Sequence, residues 1–349
     1  MSASMATTTT AFLQKNAAGI LLSAAVAVAA VLAEPLMRRL TGGFTLPAMV
    51  IALFIGIALN GVAADARFQP GITWCVKKLL RIAIGLLGLR IALGDILGLG
   101  LGTIALVVAS MAITIAATIW LARLFGQEAG YGALAGAANA VCGASATLAT
   151  STVVPNYKNK DADTAFTVVM ANAISTLVML TYPPLCIWLG LSARETGLML
   201  GASIHDMAQV VGAGYAVSED VGNTAVVVKL FRVFLLLPVV LAIGWWFMRR
   251  GEQAGDAKVP APIFAVVFLV LVLVNTAAMA MPQLLPFYLP IKGFLSEVSK
   301  WGLLLSIAAL GLGTSITAIL AVGWRHVAVF MGATVLLLVI VTGGLVVLR

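Results

Sequence analysis

The sequence predicts an all-α polytopic membrane protein of ten to eleven transmembrane helices, and three observations carry that prediction. The chain of 349 residues is 62% hydrophobic and 10% charged, which leaves too few charges to cover a soluble globule of this size. Its apolar runs reach the ~20 residues that a helix needs to cross ~30 Å of hydrocarbon. Segments such as "AAGILLSAAVAVAAVLA" and "VAVFMGATVLLLVIVTGGLVV" are apolar on every side, whereas the strands of a membrane barrel alternate over roughly ten residues.

Apolar segments fall near residues 17–33, 46–64, 78–98, 103–123, 130–153, 163–189, 195–217, 223–248, 262–281, 299–320 and 325–348. The first, with Lys15 ahead of it and "VLA" before Glu34, also has the form of a signal peptide and its cleavage site. Its apolar core is long for such a peptide and the next segment follows closely, so a retained helix is expected. The gaps, such as "DARFQPGITWCVKK" and "RRGEQAGDAKVPAP", are short, and the function must reside in the helix bundle. Assigning the loop Lys and Arg by parity puts ten on the amino-terminal side and seven on the other, which favours a cytoplasmic amino terminus.

Composition also narrows the chemistry. Cys75, Cys142 and Cys186 are scattered with no CxxC pair, so neither a disulfide framework nor a zinc site is suggested, and no cofactor is expected. The formal charge of +8 comes with no interleaving of basic and aromatic residues that would suggest nucleic acid. Two internal echoes hint at duplication, the architecture of many carriers. Sliding the chain by 223 residues lays "IGLLGLRIALGDILGLG" from Ile84 over "IAALGLGTSITAILAVG" from Ile307, with seven identities, and "GALAGA" from Gly132 resembles "GLMLGA" from Gly197. The two echoes pair different spans.

The stretch "GAANAVCGASATLATSTVVP", Gly136 to Pro155, has small and polar residues where a span should be. A helix broken by glycine is tolerated in a membrane only where it faces protein or a water-filled cavity. Such a break exposes N–H groups at a positive dipole end, which suits an anion. Close packing is the competing reading, since Gly132 and Gly136 form GxxxG. The surplus of Asn139, Cys142, Ser145, Thr147, Thr150, Ser151 and Thr152 favours a site, because packing needs smallness and not hydrogen-bonding groups.

In "GASIHDMAQVVGAGYAVSED", His205 and Asp206 lie inside a span, where ionisable groups are costly and usually functional. On an unbroken helix His205 and Gln209 share a face and Asp206 points about 100° away; an early helix end would instead leave His205 and Asp206 in solvent. Lys229 and Arg232, three apart, share a face that is otherwise apolar, where they either attract an anion or snorkel to the headgroups. Arg81 and Arg90 fall on opposite faces of an unbroken helix, and Arg90, deeper in the apolar text, is the better candidate for a site.

These stretches carry a family resemblance. "GAANAVCGASA", "GASIHDMAQVVGAGYAV", "VVVKLFRVFLLLPVVL", "LLRIAIGLLGLRIAL" and "LPAMVIALFIGIALN" resemble the YeiH family of sulfate exporters, grouped with cation/proton antiporters and bile-acid-type transporters. The resemblance runs from about Leu46 to the carboxyl end. It implies a multi-pass carrier of the inner membrane with inverted repeats and discontinuous crossing helices, Gly132 to Val153 and Leu303 to Leu320 being the crossing pair. On that plan residues 1–45 form an extra amino-terminal helix, 46–190 a first repeat and 191–349 a second.

The expected function is secondary transport, as an exporter, of a small inorganic or sulfur-containing anion such as sulfate or sulfite, by alternating access coupled to protons. Asn139, Cys142, Gly143, Ala144 and Ser145 would offer donors to the anion, and Lys229, Arg232 and Arg90 would neutralise it. His205, Asp206 and Gln209 would carry the coupling. The expected partners are the anion, protons, the lipid bilayer and a second copy in a homodimer. The alternatives are a cation/proton antiporter with the ion on Asp206 and, more remotely, an intramembrane hydrolase with Ser145 as nucleophile and His205 as base. The residues after Ser145 lack the glycine of a G-x-S-x-G elbow, so no enzyme is expected.

Overall fold

The computed structural model describes residues 2–40, 48–91, 93–251, 263–313 and 324–348, and their regular structure is helical throughout. The chain forms two compact units, Met1–Ile96 with Ile263–Ser315, and Leu97–Pro262 with Ile316–Arg349.

The first unit contains α1 (Ser2–Leu40), α2 (Ala48–Ala58), α3 (Asn60–Ala63) and α4 (Gln69–Trp74), which runs through a π-helical turn, Cys75–Leu79, into α5 (Leu80–Leu87). A 3-10 turn, Gly88–Arg90, then leads to α6 (Leu93–Leu97), and α15 (Ile263–Met279) and α16 (Leu285–Leu312) complete the unit. Its core joins Val26, Ala27 and Ala30 of α1 to Ile51 and Ala52 of α2 and to Leu304, Ala308 and Leu312 of α16. The first apolar segment is thus a packed helix. Lipid gives helices no hydrophobic drive to associate, so close van der Waals contact must hold them. Gly56 provides it: a Cβ there would lie 2.7 Å from the Ala308 carbonyl oxygen.

The helix carrying Arg81 and Arg90 is not continuous. Ile91 is extended (φ −109°, ψ 134°), and α15 satisfies the freed backbone, with Asn275 Nδ2 donating to Ile91 O at 3.1 Å and Leu93 N–H donating to Thr276 Oγ1 at 2.9 Å.

The second unit contains α7 (Gly100–Leu124), α8 (Ala129–Ala140), α9 (Ala144–Ser151), α10 (Lys160–Trp188), α11 (Ala193–Ser203), α12 (Met207–Val217), α13 (Glu219–Phe234), α14 (Leu236–Met248) and α17 (Trp324–Val347). Glycine lets α8 lie directly on α7: a Cβ at Gly132 would sit 2.7 Å from Ile119 Cα, and one at Gly136 3.0 Å from Ile115 Cα. The GxxxG packing role therefore holds for α8, while the polar surplus follows it.

Among the described residues, six stretches are long and apolar enough to cross a membrane: Lys15–Leu36, Gly100–Leu124, Lys160–Trp188, Glu219–Met248, Pro282–Leu312 and Trp324–Val347. The expected spans at 78–98, 130–153 and 195–217 are interrupted, and those at 46–64 and 262–281 hold helices of 11 and 17 residues, Ala48–Ala58 and Ile263–Met279, so fewer long helices than apolar segments appear among the described residues. Of the expected crossing partner Leu303–Leu320, Leu303–Leu312 belongs to α16 and residues 314–320 lie outside the described residues. Within the second unit, the broken helix that meets α8 and α9 is α11 with α12.

Candidate functional site

Two interruptions face one another inside the second unit. The first spans Val141–Gly143, between α8 and α9, and the second Ile204–Asp206, between α11 and α12. Gly143 adopts φ +60°, ψ −123°, a backbone open to glycine and strained for other residues. A Cβ there would lie 3.8 Å from His205 O and 3.9 Å from Asp206 Cβ, so the two breaks meet at this glycine. The eleven-residue halves α11 and α12 each rise about 16 Å, which places the break near the middle of a hydrocarbon layer ~30 Å thick.

Every helix end leaves orphan backbone groups, and the two sides of these breaks treat them differently. On the carboxyl-terminal side, Lys229 and Arg232 of α13 supply the donors. Lys229 Nζ donates to the carbonyls of Val141 (2.6 Å), Ile204 (2.9 Å) and His205. Arg232 donates through Nε to Ala140 O (2.9 Å), through one terminal nitrogen to Gly201 O (2.9 Å) and Ile204 O (3.1 Å), and through the other to Asn139 O (2.7 Å). Both side chains are fully buried, so neither snorkels. Their i, i+3 spacing puts both cations against both breaks, where they offset the negative dipole ends of α8 and α11.

The amino-terminal side is more open. The N–H groups of Ala144 and Ser145, in the first turn of α9, have no partner among the described residues, and Ser145 is exposed. At α12, Asp206 is the N-cap: its Oδ1 accepts from Ala208 N–H at 2.9 Å, and its own N–H donates to Ser175 Oγ of α10 at 3.0 Å. Cys142 is buried between these ends.

His205 is fully buried, not in solvent. Its Nδ1 lies 3.1 Å from Ser203 O, which can only accept, so the proton is assigned to Nδ1. Nε2 lies 3.0 Å from Thr334 Oγ1 of α17, and that hydroxyl is 2.8 Å from Asn139 Oδ1 and 3.1 Å from Phe330 O. Thr334 of α17 thus stands between the end of α11 and the end of α8, and its single hydroxyl proton can serve His205 Nε2 or Asn139 Oδ1 but not both at once. Residue 205 is outside the helix, so the face shared with Gln209 on an unbroken helix does not exist: Gln209 turns to Asn172 of α10, with Nε2 donating to Oδ1 at 3.2 Å. His205 and Ser145 make no hydrogen bond to each other.

The structure therefore brings together Asn139, Cys142, Gly143, Ala144, Ser145, His205, Asp206, Gln209, Lys229 and Arg232. Arg90 belongs to the first unit, in the 3-10 turn, and Arg81 is exposed there, its guanidinium 5.8 Å from the Phe264 ring centroid. Thr334 and the α10 residues Asn172, Ser175 and Thr176 complete the polar surroundings. No sequence signal singled them out, because lone hydroxyls and amides in apolar helices commonly bond to their own backbone.

Residues 18–330 match the family model described as Conserved hypothetical protein 698. The chain is 38% identical over 331 residues to a UPF0324 membrane protein of Chlorobaculum tepidum, covering 94% of this chain and 88% of that protein. It is 41% identical over 303 residues to the UPF0324 membrane protein TauZ of Paracoccus pantotrophus, covering 86% and 88%, and 38% identical over 330 residues to one from Rhizobium meliloti, covering 94% and 92%. No solved structure matches it. With matches of this length and a helical fold built around interrupted spans, the chain belongs to the UPF0324 family of multi-pass membrane proteins.

Proposed function

We propose that this protein is a secondary transporter of a small sulfur-containing or inorganic anion, and that the anion binds at the amino-terminal side of the paired breaks. One observation carries the reading: Lys229 and Arg232 are spent on carbonyls, so the negative helix ends are compensated and the positive end at Ala144–Ser145 is left to attract charge, while the start of α12 is capped by Asp206. Such an end is equivalent to roughly +0.5 elementary charge. In this reading the two cations hold the breaks in shape and set a positive potential, with no direct contact to the anion required. Backbone N–H groups and the Ser145 hydroxyl make the contacts.

Asp206 supplies the coupling. An ionised carboxylate at the start of α12 repels an anion from the same end, and neutralising it by a bound proton or cation lifts that repulsion. His205, held between Ser203 and Thr334, positions the break and is not itself the carrier. The name TauZ of the Paracoccus relatives hints at taurine, a sulfonate, which supports a sulfur-containing substrate. Residence in a bacterial inner membrane, export, dimerisation and the absence of catalysis belong to the same proposal. The second reading, a cation/proton antiporter, draws on Asp206 and its oxygen-rich neighbours.

Proteoliposomes tested with labelled sulfate, sulfite and taurine decide between them. The reading expects saturable flux of at least one of these anions that is lost in Gly143→Ala. Cation exchange that is indifferent to all three would establish the antiporter.

A further inference from the structure

One end of the second unit gathers arginines onto indoles. Arg123 lies in the last turn of α7, Arg249 and Arg250 follow α14, and Arg325 stands in the first turn of α17. Arg123 and Arg250 share one ring, their guanidiniums 5.6 Å and 4.4 Å from the centroid of Trp246. Arg249 lies 4.1 Å from the Trp245 centroid and Arg325 5.6 Å from that of Trp324. Phe125, just past α7, meets Trp324 edge to face with centroids 6.2 Å apart, which joins the end of α7 to the start of α17. All four arginines are exposed, and among the described residues none of them has a carboxylate within 4.0 Å.

One guanidinium over an indole is a favourable pair. Two brought to the same indole, with no anion beside them, repel one another. Arginines that only snorkel have no reason to converge, since each long side chain reaches the interface by itself. The helix faces below the cluster supply the rest of the site. On α14, Leu237, Leu241, Trp245 and Met248 are exposed and fall at i, i+4, i+8 and i+11, which makes one stripe. On α7, Ile113, Trp120 and Leu124 are exposed at i, i+7 and i+11 and make another. Both apolar stripes run into the arginines. A ligand that fits has apolar chains for the stripes and a phosphodiester for the guanidinium forks, whose planar donors match phosphate oxygens. With no carboxylate at hand to receive an ammonium, a headgroup of net negative charge fits better than a zwitterionic one.

We propose that Arg123 and Arg250, with Trp246, hold the phosphate of an anionic phospholipid whose acyl chains lie along the exposed stripes of α7 and α14. The lipid braces the surroundings of the first break, because α7 and α14 are the helices against which its two halves rest. A Cβ at Gly132 or Gly136 of α8 would meet α7, and one at Gly244 of α14 would lie 3.2 Å from Val153 Cβ, just past α9. This lipid site is independent of the anion transport proposed above.

The test uses the purified, delipidated full-length protein in detergent, with its thermal midpoint followed as phosphatidylglycerol or phosphatidylcholine is added to the micelles. The expected result is a saturable rise with phosphatidylglycerol that exceeds any rise with phosphatidylcholine, since a ligand of the folded state stabilises it by mass action. The double variant Arg123→Gln/Arg250→Gln should raise the half-saturating mole fraction of phosphatidylglycerol about tenfold or more. Lys77→Gln/Lys78→Gln, which removes the same charge from exposed positions in the first unit, should leave it unchanged. Equal rises with both lipids overturn the site, as does a half-saturation that the two double variants shift alike or not at all. A midpoint that inorganic phosphate raises as far as phosphatidylglycerol does would assign the arginines to a soluble anion and overturn the lipid. Should the arginine variant not fold, native mass spectrometry of the unaltered protein decides, and retention of phosphatidylglycerol no greater than that of phosphatidylcholine overturns the site.

Discussion

Two helix starts in the same unit follow one local recipe and end differently. α11 begins at Ser192 with Glu195 three residues on, and the box closes: Ser192 N–H donates to Glu195 Oε2 at 2.8 Å and Glu195 N–H to Ser192 Oγ at 3.3 Å. α12 begins at Asp206 with Gln209 at the same spacing, and the box is open because Ser175 of α10 takes the N–H that Gln209 would have met. At Ser192, which is exposed, only water competes with the cap. At the buried break a neighbouring helix offers a hydroxyl, the local rule gives way, and Gln209 Oε1 is left without a donor among the described residues. Departure from the capping rule thus falls at the start that the proposed function uses, and obedience to it at the one it does not.

The largest effect expected lies on the opposite side of the same breaks. Lys229→Met strips a donor from the carbonyls of Val141, Ile204 and His205; Ile204 keeps Arg232, and a carbonyl left buried and unpaired costs ~1–3 kcal/mol. The thermal midpoint in detergent should fall sharply and flux should vanish; a midpoint equal to that of the unaltered protein would mean that Lys229 does not hold the breaks.

A smaller effect separates the two starts directly. Ser192→Ala and Asp206→Ala each remove an N-cap, worth ~1 kcal/mol, so their midpoints should fall by similar amounts. Flux should survive the first and fail in the second. Equal flux in both would erase the distinction drawn between them. Smallest is a difference in reactivity: a water-soluble thiol reagent should modify Ser145→Cys, made in a Cys142→Ala background, faster than it modifies Cys142 itself, which is 8% exposed. Substrate should slow the reaction, and protection at neither position would move the anion away from α9.

Much of this was legible in the sequence. The long apolar runs gave the helices, and the small polar run after Gly136 gave the first break. The ionisable pair at 205–206 marked the second, although helical arithmetic misassigned its faces, because a face exists only while the helix continues. Lys229 and Arg232 were visible as two cations on one apolar face, with snorkelling left open, and their partners were not visible. Backbone carbonyls are the same at every position, so no residue pattern announces that Val141 or Ile204 will accept a hydrogen bond. Gln209 was legible as polar; its orphaned oxygen depends on Ser175, 31 residues from Asp206, and on packing that no local pattern encodes.

The clamp on the breaks also sets an order of assembly. Val141 precedes Lys229 by 88 residues, and a ribosome adding about 5–20 residues per second needs roughly 4–18 s to make them. During that interval α8 and α9 exist in the nascent chain without the ammonium that completes their junction. Until α13 emerges the first break lacks that donor, so changing the speed of translation through residues 142–229 is expected to change how much protein reaches its native form.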